Sequence, residues 1–315
     1  MPAISVSGLT KTYPGKPPVE AVRGIDLEVR RGECFGVLGP NGAGKTTTIE
    51  ILEGLMEPSD GSVEILGRRW SDQGDEIRQR IGISLQETQL ADKLSVLETV
   101  TLFRSFYRSG MTPEEAIRRV GLENKSDAWI KNLSGGQKQR VAVATAIVGQ
   151  PELLFMDEPT TGLDPGSRRD LWNILTNFKE NGGTVLLTTH YMDEAERLCD
   201  RVAIVDHGRV LAVDSPRNLI SNLQGEHVIE FRIEGDEIAA AEFESLGGVA
   251  AVRKEDDCLC LSVAKPHVVI PQLLNHLDSL NLTLAGLTTR QASLEDVFVN
   301  LTGRHLEDDE ESSLN

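Results

Sequence analysis

Nine consecutive residues near the start of the chain have the composition of a phosphate-binding loop. Residues 39–47 read GPNGAGKTT and fit G-x-x-x-x-G-K-[ST], between an apolar run and a helix-like pattern. Glycines let backbone N–H groups turn toward a phosphate, and a helix N-terminus adds about half a positive charge. Lys45 can then reach the β- and γ-phosphates, while the Thr46 hydroxyl can ligate Mg²⁺. A plain glycine-rich turn is the alternative, and both flanking patterns argue against it.

Two adjacent carboxylates follow a second apolar run. Residues 153–156 lead directly into Asp157 and Glu158, and α/β sheets place their ligands at the carboxyl ends of strands. Asp157 is placed to hold Mg²⁺ through water, and Glu158 to orient or deprotonate an attacking water. Taken alone, this run would more often be a strand that leads into a solvated turn. Combined with the phosphate-binding loop, it predicts a nucleotide-hydrolysing site.

Short apolar runs alternate with helical patterns over the first two thirds of the chain, which predicts an α/β domain with helices on both faces of a buried sheet. The predicted strands cover residues 3–9, 20–30, 33–38, 62–67, 81–86, 153–157, 183–189 and 201–213. The predicted helices cover residues 45–54, 92–107, 113–120, 136–148, 167–180 and 192–198.

The pattern changes after residue 223 to the β-α-β-β-α-β order of a ferredoxin-like α+β domain. The expected elements are a strand, a helix, two strands, a helix, a strand and a last helix, at residues 226–234, 236–246, 249–254, 258–263, 267–280, 282–290 and 293–301. No phosphate-binding or carboxylate constellation occurs among them, so we expect this domain to regulate or stabilise a dimer, or only to stabilise the chain.

These patterns predict a domain organisation. The first domain covers 1–223 with a helical subdomain at about 87–135, the second covers 224–303, and an acidic, disordered tail covers 304–315.

Composition and charge exclude several classes of protein. The 315 residues carry a formal net charge of −17, a field that repels phosphate backbones, so nucleic acid is not an expected partner. No leader sequence and no run of roughly 18 apolar residues is seen, so we expect a chain that is neither secreted nor membrane-spanning. The four cysteines, which form no C-x-x-C pair, are expected to be reduced packing residues: Cys34, Cys199, Cys258 and Cys260.

Five further segments, all in the expected order, give the sequence a family resemblance. Residues 133–137, LSGGQ, resemble the signature of ATP-binding cassette (ABC) proteins, Gln86 their Q-loop, 162–164 their D-loop, His190 their switch histidine and Tyr13 their adenine-stacking aromatic. The resemblance covers about residues 3–220. It implies a P-loop NTPase fold with a mixed sheet core and a helical subdomain, and an ATPase that uses ATP and Mg²⁺.

The resemblance also implies a role for each motif. Two copies would form an ATP-sandwich homodimer in which the signature of one copy meets the γ-phosphate held by the other. The implied catalytic residues are Glu158, His190 and Gln86, and the implied metal ligands are Thr46, Gln86 and Asp157. The implied nucleotide contacts are Tyr13, Gly39, Pro40, Asn41, Gly42, Ala43, Gly44, Lys45, Thr46, Thr47, Ser134, Gly135, Gly136, Gln137 and Asp164.

Three of these residues have simpler explanations that the sequence leaves open. Ser134 could be the ordinary N-cap of the helix that follows it. His190 could be a polar residue that ends a strand, and Tyr13 a surface tyrosine in a turn.

The branch of the family follows from smaller features. One cassette without a spanning helix implies a separate membrane permease, with this chain cytoplasmic and peripheral on the inner face of the cell membrane. The helical insert would receive the permease, with Arg104, Phe106 and Tyr107 as candidate contacts. Packing of an amphipathic helix on its own domain explains these three residues equally well. Residues 133–140 and 293–304 resemble the ATPase subunits of daunorubicin-type drug-resistance exporters. We therefore expect an exporter of drugs or other amphipathic compounds; an importer ATPase or a ribosome-associated ATPase is the alternative.

Overall fold

The computed structural model describes residues 1–85, 89–223, 225–234, 239–255 and 258–303, which fall into two compact units, Met1–Ser215 and one that begins at Pro216. The first unit contains β1 (Ile4–Tyr13), β2 (Val19–Val29), β3 (Cys34–Leu38), α1 (Lys45–Leu52), β4 (Asp60–Ile65), α2 (Trp70–Arg78), β5 (Ile81–Ser84), α3 (Val96–Arg104), α4 (Pro113–Arg119), α5 (Gly135–Ile147), β6 (Leu153–Asp157), α6 (Pro165–Glu180), β7 (Thr184–Thr189), α7 (Met192–Leu198), β8 (Arg201–Asp206) and β9 (Arg209–Asp214).

Two sheets form the first unit. Six strands pair in the order β5-β6-β7-β3-β8-β9, all parallel except for β9, which is antiparallel to β8. β1, β2 and β4 form a separate antiparallel sheet. Every residue of β3, β6 and β7 is buried, as expected for strands covered on both faces. The predicted α/β fold with a mixed sheet core is confirmed.

Several predicted boundaries in the first unit are wrong. The strand predicted over 201–213 is the hairpin β8-β9, because His207 and Gly208 take φ of 46° and 74° and reverse the chain. The sequence patterns did not predict α2, because its sequence, WSDQGDEIR, is mostly polar. The helix predicted from residue 92 begins at Val96, where Ser95 and Glu98 form a capping box.

The second unit contains α8 (Pro216–Ser221), β10 (His227–Glu234), β11 (Val249–Glu255), β12 (Cys258–Val263), α9 (Pro266–Ser279), β13 (Thr283–Gln291) and α10 (Leu294–Thr302). Its antiparallel sheet has the order β11-β12-β10-β13, which is the strand order of the predicted ferredoxin-like arrangement. The helix predicted over 236–246 is reduced, among the residues that the structure describes, to a 3₁₀ turn at Ala240–Phe243.

The predicted boundary at residue 223 lies inside the second unit. Ile220 and Leu223, on and after α8, pack against Val228, Cys260 and Ala292, so α8 shares the core of the sheet that follows it. The division therefore falls at Pro216. The predicted acidic tail at 304–315 lies outside the described residues. None of the helices described is long and apolar enough to span a bilayer.

A buried carboxyl group lies directly after α1. The Glu53 side chain is 3% exposed, and neither of its oxygens has a hydrogen-bond partner within the described part of the chain. Burial, together with the charges of Asp157 and Glu50, raises the pKa of Glu53 from 4.5 to about 8. Because the folded-state pKa lies above that of the unfolded chain, this group disfavours folding increasingly as the pH rises from 4.5 to about 8.

Replacing Glu53 should therefore change how stability depends on pH. Glu53→Gln keeps the shape but cannot ionise, so at about pH 8.5 it should be more stable than wild type, by up to about 4 kcal/mol, and equally stable near pH 4.5. Thermal melting across this range measures the difference. Glu57→Gln removes an exposed carboxylate nearby and serves as the control. A difference between Glu53→Gln and wild type that stays constant with pH would contradict the prediction.

Candidate functional site

A cavity of 920 Å³ opens beside the start of α1 and the carboxyl ends of β6 and β7. Most of the predicted nucleotide-binding residues line it. Its walls include Tyr13, Pro40, Asn41, Gly42, Gly44, Lys45, Thr46, Thr47, Glu158 and His190. The structure therefore gathers, in one place, side chains that the sequence separates by up to 177 positions.

The loop at 39–44 follows a path that only glycine allows at two positions. A Cβ on Gly39 would lie 2.2 Å from the Val205 carbonyl oxygen, and one on Gly44 would lie 2.3 Å from the Ala21 carbonyl oxygen. Gly44 also has a φ of 93°, in the left-handed region. Ala43, 2% exposed, packs on the inner side of the loop. The backbone between β3 and α1 is thus fixed by close packing.

Lys45 is 5% exposed and its ammonium group is held inside the loop. Lys45 Nζ donates to the carbonyl oxygens of Gly39, at 2.7 Å, and Pro40, at 3.1 Å. It also lies 4.0 Å from Glu158 Oε1. Burial lowers the pKa of Lys45, while the charges of Glu158 and Asp157 oppose that shift. The cation therefore faces the two strand-end carboxylates.

Thr188, on β7, holds both carboxylate residues in place. Its hydroxyl donates to Asp157 Oδ1 and accepts from the Glu158 backbone N–H at 3.0 Å. The Glu158 N–H also donates to the Thr188 carbonyl oxygen at 3.1 Å. Burial raises the pKa of Asp157, and the Thr188 hydroxyl opposes the rise. With a φ of 43°, Glu158 takes a left-handed conformation at the point where the strand ends.

His190 and Glu158 form a close pair at the edge of the cavity. His190 Nδ1 lies 3.2 Å from Glu158 Oε2, and the Thr161 hydroxyl donates to the same oxygen at 3.3 Å. The hydrogen bond from His190 holds the pKa of Glu158 below its usual value against the opposing effect of burial. Glu158 is therefore a charged carboxylate near neutral pH, as a residue that accepts a proton from water must be.

Tyr13 lines the cavity beside the last residues of the phosphate-binding loop. Its hydroxyl lies 3.2 Å from Thr47 Oγ1 and donates to Met56 Sδ at 3.2 Å. These two contacts fix the ring at the cavity wall, which is the position that stacking on a nucleotide base requires.

The signature segment does not reach the cavity within one copy of the chain. Ser134 caps α5: its hydroxyl accepts from Gln137 N at 3.3 Å, while Gln137 Oε1 accepts from Ser134 N at 3.0 Å. The ordinary N-cap explanation therefore describes Ser134 in a single copy. A Cβ on Gly135 would meet nothing within 4 Å, whereas one on Gly136 would lie 2.2 Å from Ser167 Oγ.

Asp164 has a local structural role. Its carboxylate accepts from Gly166 N at 2.9 Å and from Ser167 N and Oγ at 3.1 and 2.6 Å, which caps α6. It does not line the cavity. Gln86, the predicted Q-loop residue, lies outside the described residues.

Sequence reasoning missed several residues of this site. Thr188, Thr161 and Tyr191 all contact or flank the pair formed by Glu158 and His190, and His207 lines the cavity although its sequence position suggested no function. Thr188 could have been found, because in parallel strands that end together, residue 188 lies opposite Asp157. The remaining three depend on loop paths that no local pattern encodes.

Comparison with known proteins agrees with this geometry. Residues 22–161 match the family model described as ABC transporter. The chain is 37% identical to the Nod factor export ATP-binding protein I of Ralstonia nicotianae, over 98% of this chain and 96% of that protein. The chain belongs to the ABC transporter family. The daunorubicin/doxorubicin resistance ATP-binding protein DrrA of Streptomyces peucetius is 38% identical over 97% of this chain and 94% of its own length.

A solved structure supports the same assignment. A dimeric ATP-binding cassette in a post-hydrolysis state, bound to ADP and Pi, superposes with a TM-score of 0.62 at 29% identity, over 67% of this chain and 98% of that one. This member of the ABC family is therefore an ATP-binding ATPase.

Thr188→Val removes the hydroxyl and its two hydrogen bonds but nearly keeps the shape of the side chain, so it tests the hydrogen bonds apart from packing. Losing a buried hydrogen-bond donor to Asp157 should cost about 1–3 kcal/mol of stability, and misplacing Glu158 should slow ATP hydrolysis about tenfold or more. Thr188→Ser, which keeps the hydroxyl, should retain most of the rate. Phosphate release and thermal melting measure both effects. If the Val and Ser variants hydrolyse ATP equally fast, the hydroxyl does not position the carboxylates.

Proposed function

We propose that this chain is the ATP-hydrolysing subunit of an exporter whose transport path lies on a separate membrane permease. The observation that carries the proposal is the arrangement of Glu158, which His190 and Thr188 hold at a cavity edge 4.0 Å from the Lys45 ammonium. A charged carboxylate so close to a phosphate-binding lysine is suited to activating water beside a γ-phosphate.

The residues of the cavity also suit Mg²⁺, as the resemblance implies. Thr46 lines the cavity with a hydroxyl, and Asp157 supplies a carboxylate at the adjacent strand end. Mg²⁺ takes few protein ligands and completes its shell with water and phosphate oxygens. Bound there, the ion would neutralise part of the phosphate charge.

In this proposal, different side chains of the chain have different roles in ATP hydrolysis. Lys45 and the loop at 39–47 hold the phosphates, and Tyr13 holds the base. Glu158 accepts the proton of the attacking water, while His190, hydrogen-bonded to Glu158, fixes the direction of that carboxylate. The side chain at 158 is needed for chemistry, whereas the one at 45 is needed for binding.

A second copy of the chain would complete the site. Ser134 and Gly135 are exposed at a helix N-terminus that does not line this copy's cavity, yet such a terminus suits a phosphate. The open space around Gly135 leaves room for one. Head-to-tail pairing of two copies would bring each signature to the other's ATP, and a related cassette is a dimer in its solved structure.

Export through a separate permease is supported by the relatives. Their names refer to Nod factor export and to daunorubicin and doxorubicin resistance. Of the candidate permease contacts, Arg104 and Tyr107 are tied to backbone oxygens, while the Phe106 side chain is 62% exposed on the helical subdomain. We propose that the chain works in the cytoplasm, on the inner face of the membrane, with Phe106 in the permease interface.

Glu158→Gln separates binding from catalysis. The variant keeps the size of the side chain but loses the charge that accepts a proton, so ATP hydrolysis should fall about 10²–10⁴-fold while MgATP binding stays normal. Lys45→Ala should instead weaken nucleotide binding. Steady-state phosphate release and equilibrium binding of a fluorescent ATP analogue distinguish the two. Near-wild-type phosphate release by Glu158→Gln would remove Glu158 from its assigned role.

Phe106→Asp tests the permease. When the chain is produced together with a candidate permease, the wild type should sediment with the membranes. Phe106→Asp should shift mostly to the soluble fraction, because a buried carboxylate opposes docking. ATPase activity of the purified variant should be unchanged. Leu274→Asp places the same charge on an exposed leucine of the second unit and should leave sedimentation unaltered. Membrane binding that is independent of the co-produced protein would contradict the proposal.

A further inference from the structure

Tyr191, the residue after the switch histidine, contacts two charged or ionisable side chains. Its ring centroid lies 4.1 Å from that of His190, tilted by 45°. On the ring, the guanidinium carbon of Arg168 lies 4.3 Å from the centroid. A cation at that distance is attracted by the ring's negative face. Arg168, Tyr191 and His190 thus form a continuous stack that ends at Glu158.

The backbone and the neighbouring helix support this stack. Tyr191 N donates to the Thr189 hydroxyl at 2.9 Å, which fixes the turn between β7 and α7. Arg168 Nη1 also lies 3.6 Å from Asp193 Oδ2, so the guanidinium contacts both the ring and the first turn of α7. The imidazole is therefore held on one side by Tyr191 and on another by the Glu158 carboxylate.

We propose that Tyr191, clamped by Arg168, is a positioning residue that holds the His190 imidazole against Glu158. The inference rests on the proposed function, because it assumes that His190 directs the catalytic carboxylate. It adds a residue to the site and assigns a role to Arg168 on α6, which does not itself line the cavity.

The stack also joins the histidine to the signature. Arg168 lies in the first turn of α6, next to Ser167, whose hydroxyl fills the space beside Gly136 of the signature so closely that a Cβ there would clash at 2.2 Å. The signature and the stack are therefore connected through the first turn of α6.

The test compares kcat and KM for MgATP in purified wild type, His190→Ala, Tyr191→Ala, Tyr191→Phe, Arg168→Ala and the double variant His190→Ala/Tyr191→Ala. Tyr191→Ala should lower kcat about tenfold or more and leave KM within about twofold, because it acts on catalytic geometry rather than on binding. Tyr191→Phe keeps the ring and should retain kcat within about threefold. Arg168→Ala should lower kcat by less than Tyr191→Ala does.

The double variant distinguishes positioning from a general structural effect. If Tyr191 acts only through His190, the double variant should be no slower than His190→Ala alone. Arg78→Ala is the matched control, because Arg78 also lies over an aromatic ring, that of Trp70 at 5.6 Å, and pairs with the nearby Asp75. It should leave kcat unchanged. Thermal melting confirms that each variant is folded.

Two results would overturn the inference, and they differ in what else they remove. In the first case His190→Ala alone is slow, but Tyr191→Ala keeps the wild-type kcat or the losses of the two single variants multiply in the double variant. Either result would refute the positioning role of Tyr191 and leave the proposed function intact. Wild-type kcat for His190→Ala would refute both the inference and the role that the proposed function gives to His190.

Discussion

In the six-stranded sheet, β6 and β7 pair so that Asp157 lies opposite Thr188, and the rest of the site depends on this register. The Thr188 hydroxyl contacts both Asp157 and the Glu158 backbone. His190, which pairs with Glu158, comes two residues later, directly after the end of β7. A slip of one residue would turn these side chains to the opposite face of the sheet. The geometry of the proposed catalytic site is therefore a property of strand pairing in a buried sheet, where the register is strongly specified.

Charged side chains also gather, in poorly hydrated surroundings, at the carboxyl ends of the strands of this sheet. Lys45 and Asp157 are each less than 9% exposed, and burial disfavours the charged form of both. Their mutual attraction and the hydrogen bonds around them offset part of that cost. Glu53 lies close enough to Asp157 for its charge to matter and has no such compensation among the described residues. The burial of Lys45, Asp157 and Glu53 therefore lowers the stability of the folded chain.

How much could be predicted from the sequence depends on how local each feature is. The phosphate-binding loop is specified by nine consecutive residues and the patterns that flank them. As the sequence predicts, the loop lies between a strand, β3, and a helix, α1. The polar helix α2 and the β8-β9 reversal were missed, because neither has an apolar period that sets it apart from its neighbours. The stack of Arg168 on Tyr191 arises from the packing of α6 beside α7, which single-sequence patterns do not encode.

The sequence also predicts two phosphate sites, the loop at 39–47 and the signature at 133–137. It does not predict how far apart these two sites lie. In the structure, the residues from Ser134 to Gln137 stand outside the cavity that Lys45 and Glu158 line. Family resemblance alone supplied the idea that they meet across a dimer. The separation of the two sites within one copy is what makes a partner necessary in this account, and it is the reason why Ser134 looks like an ordinary cap when one copy is considered.

The central claim, that ATP is enclosed between the cavity of one copy and the signature of another, is tested most directly by the mass of a hydrolysis-deficient variant in solution. Sedimentation of Glu158→Gln with MgATP should give about twice the monomer mass. Adding Gly135→Asp, which the open space around Gly135 accommodates, places a carboxylate against the partner's γ-phosphate and should return the protein to a monomer that still binds ATP. An ATP-dependent dimer that persists in the double variant, or a Glu158→Gln protein that stays monomeric with MgATP, would contradict the account.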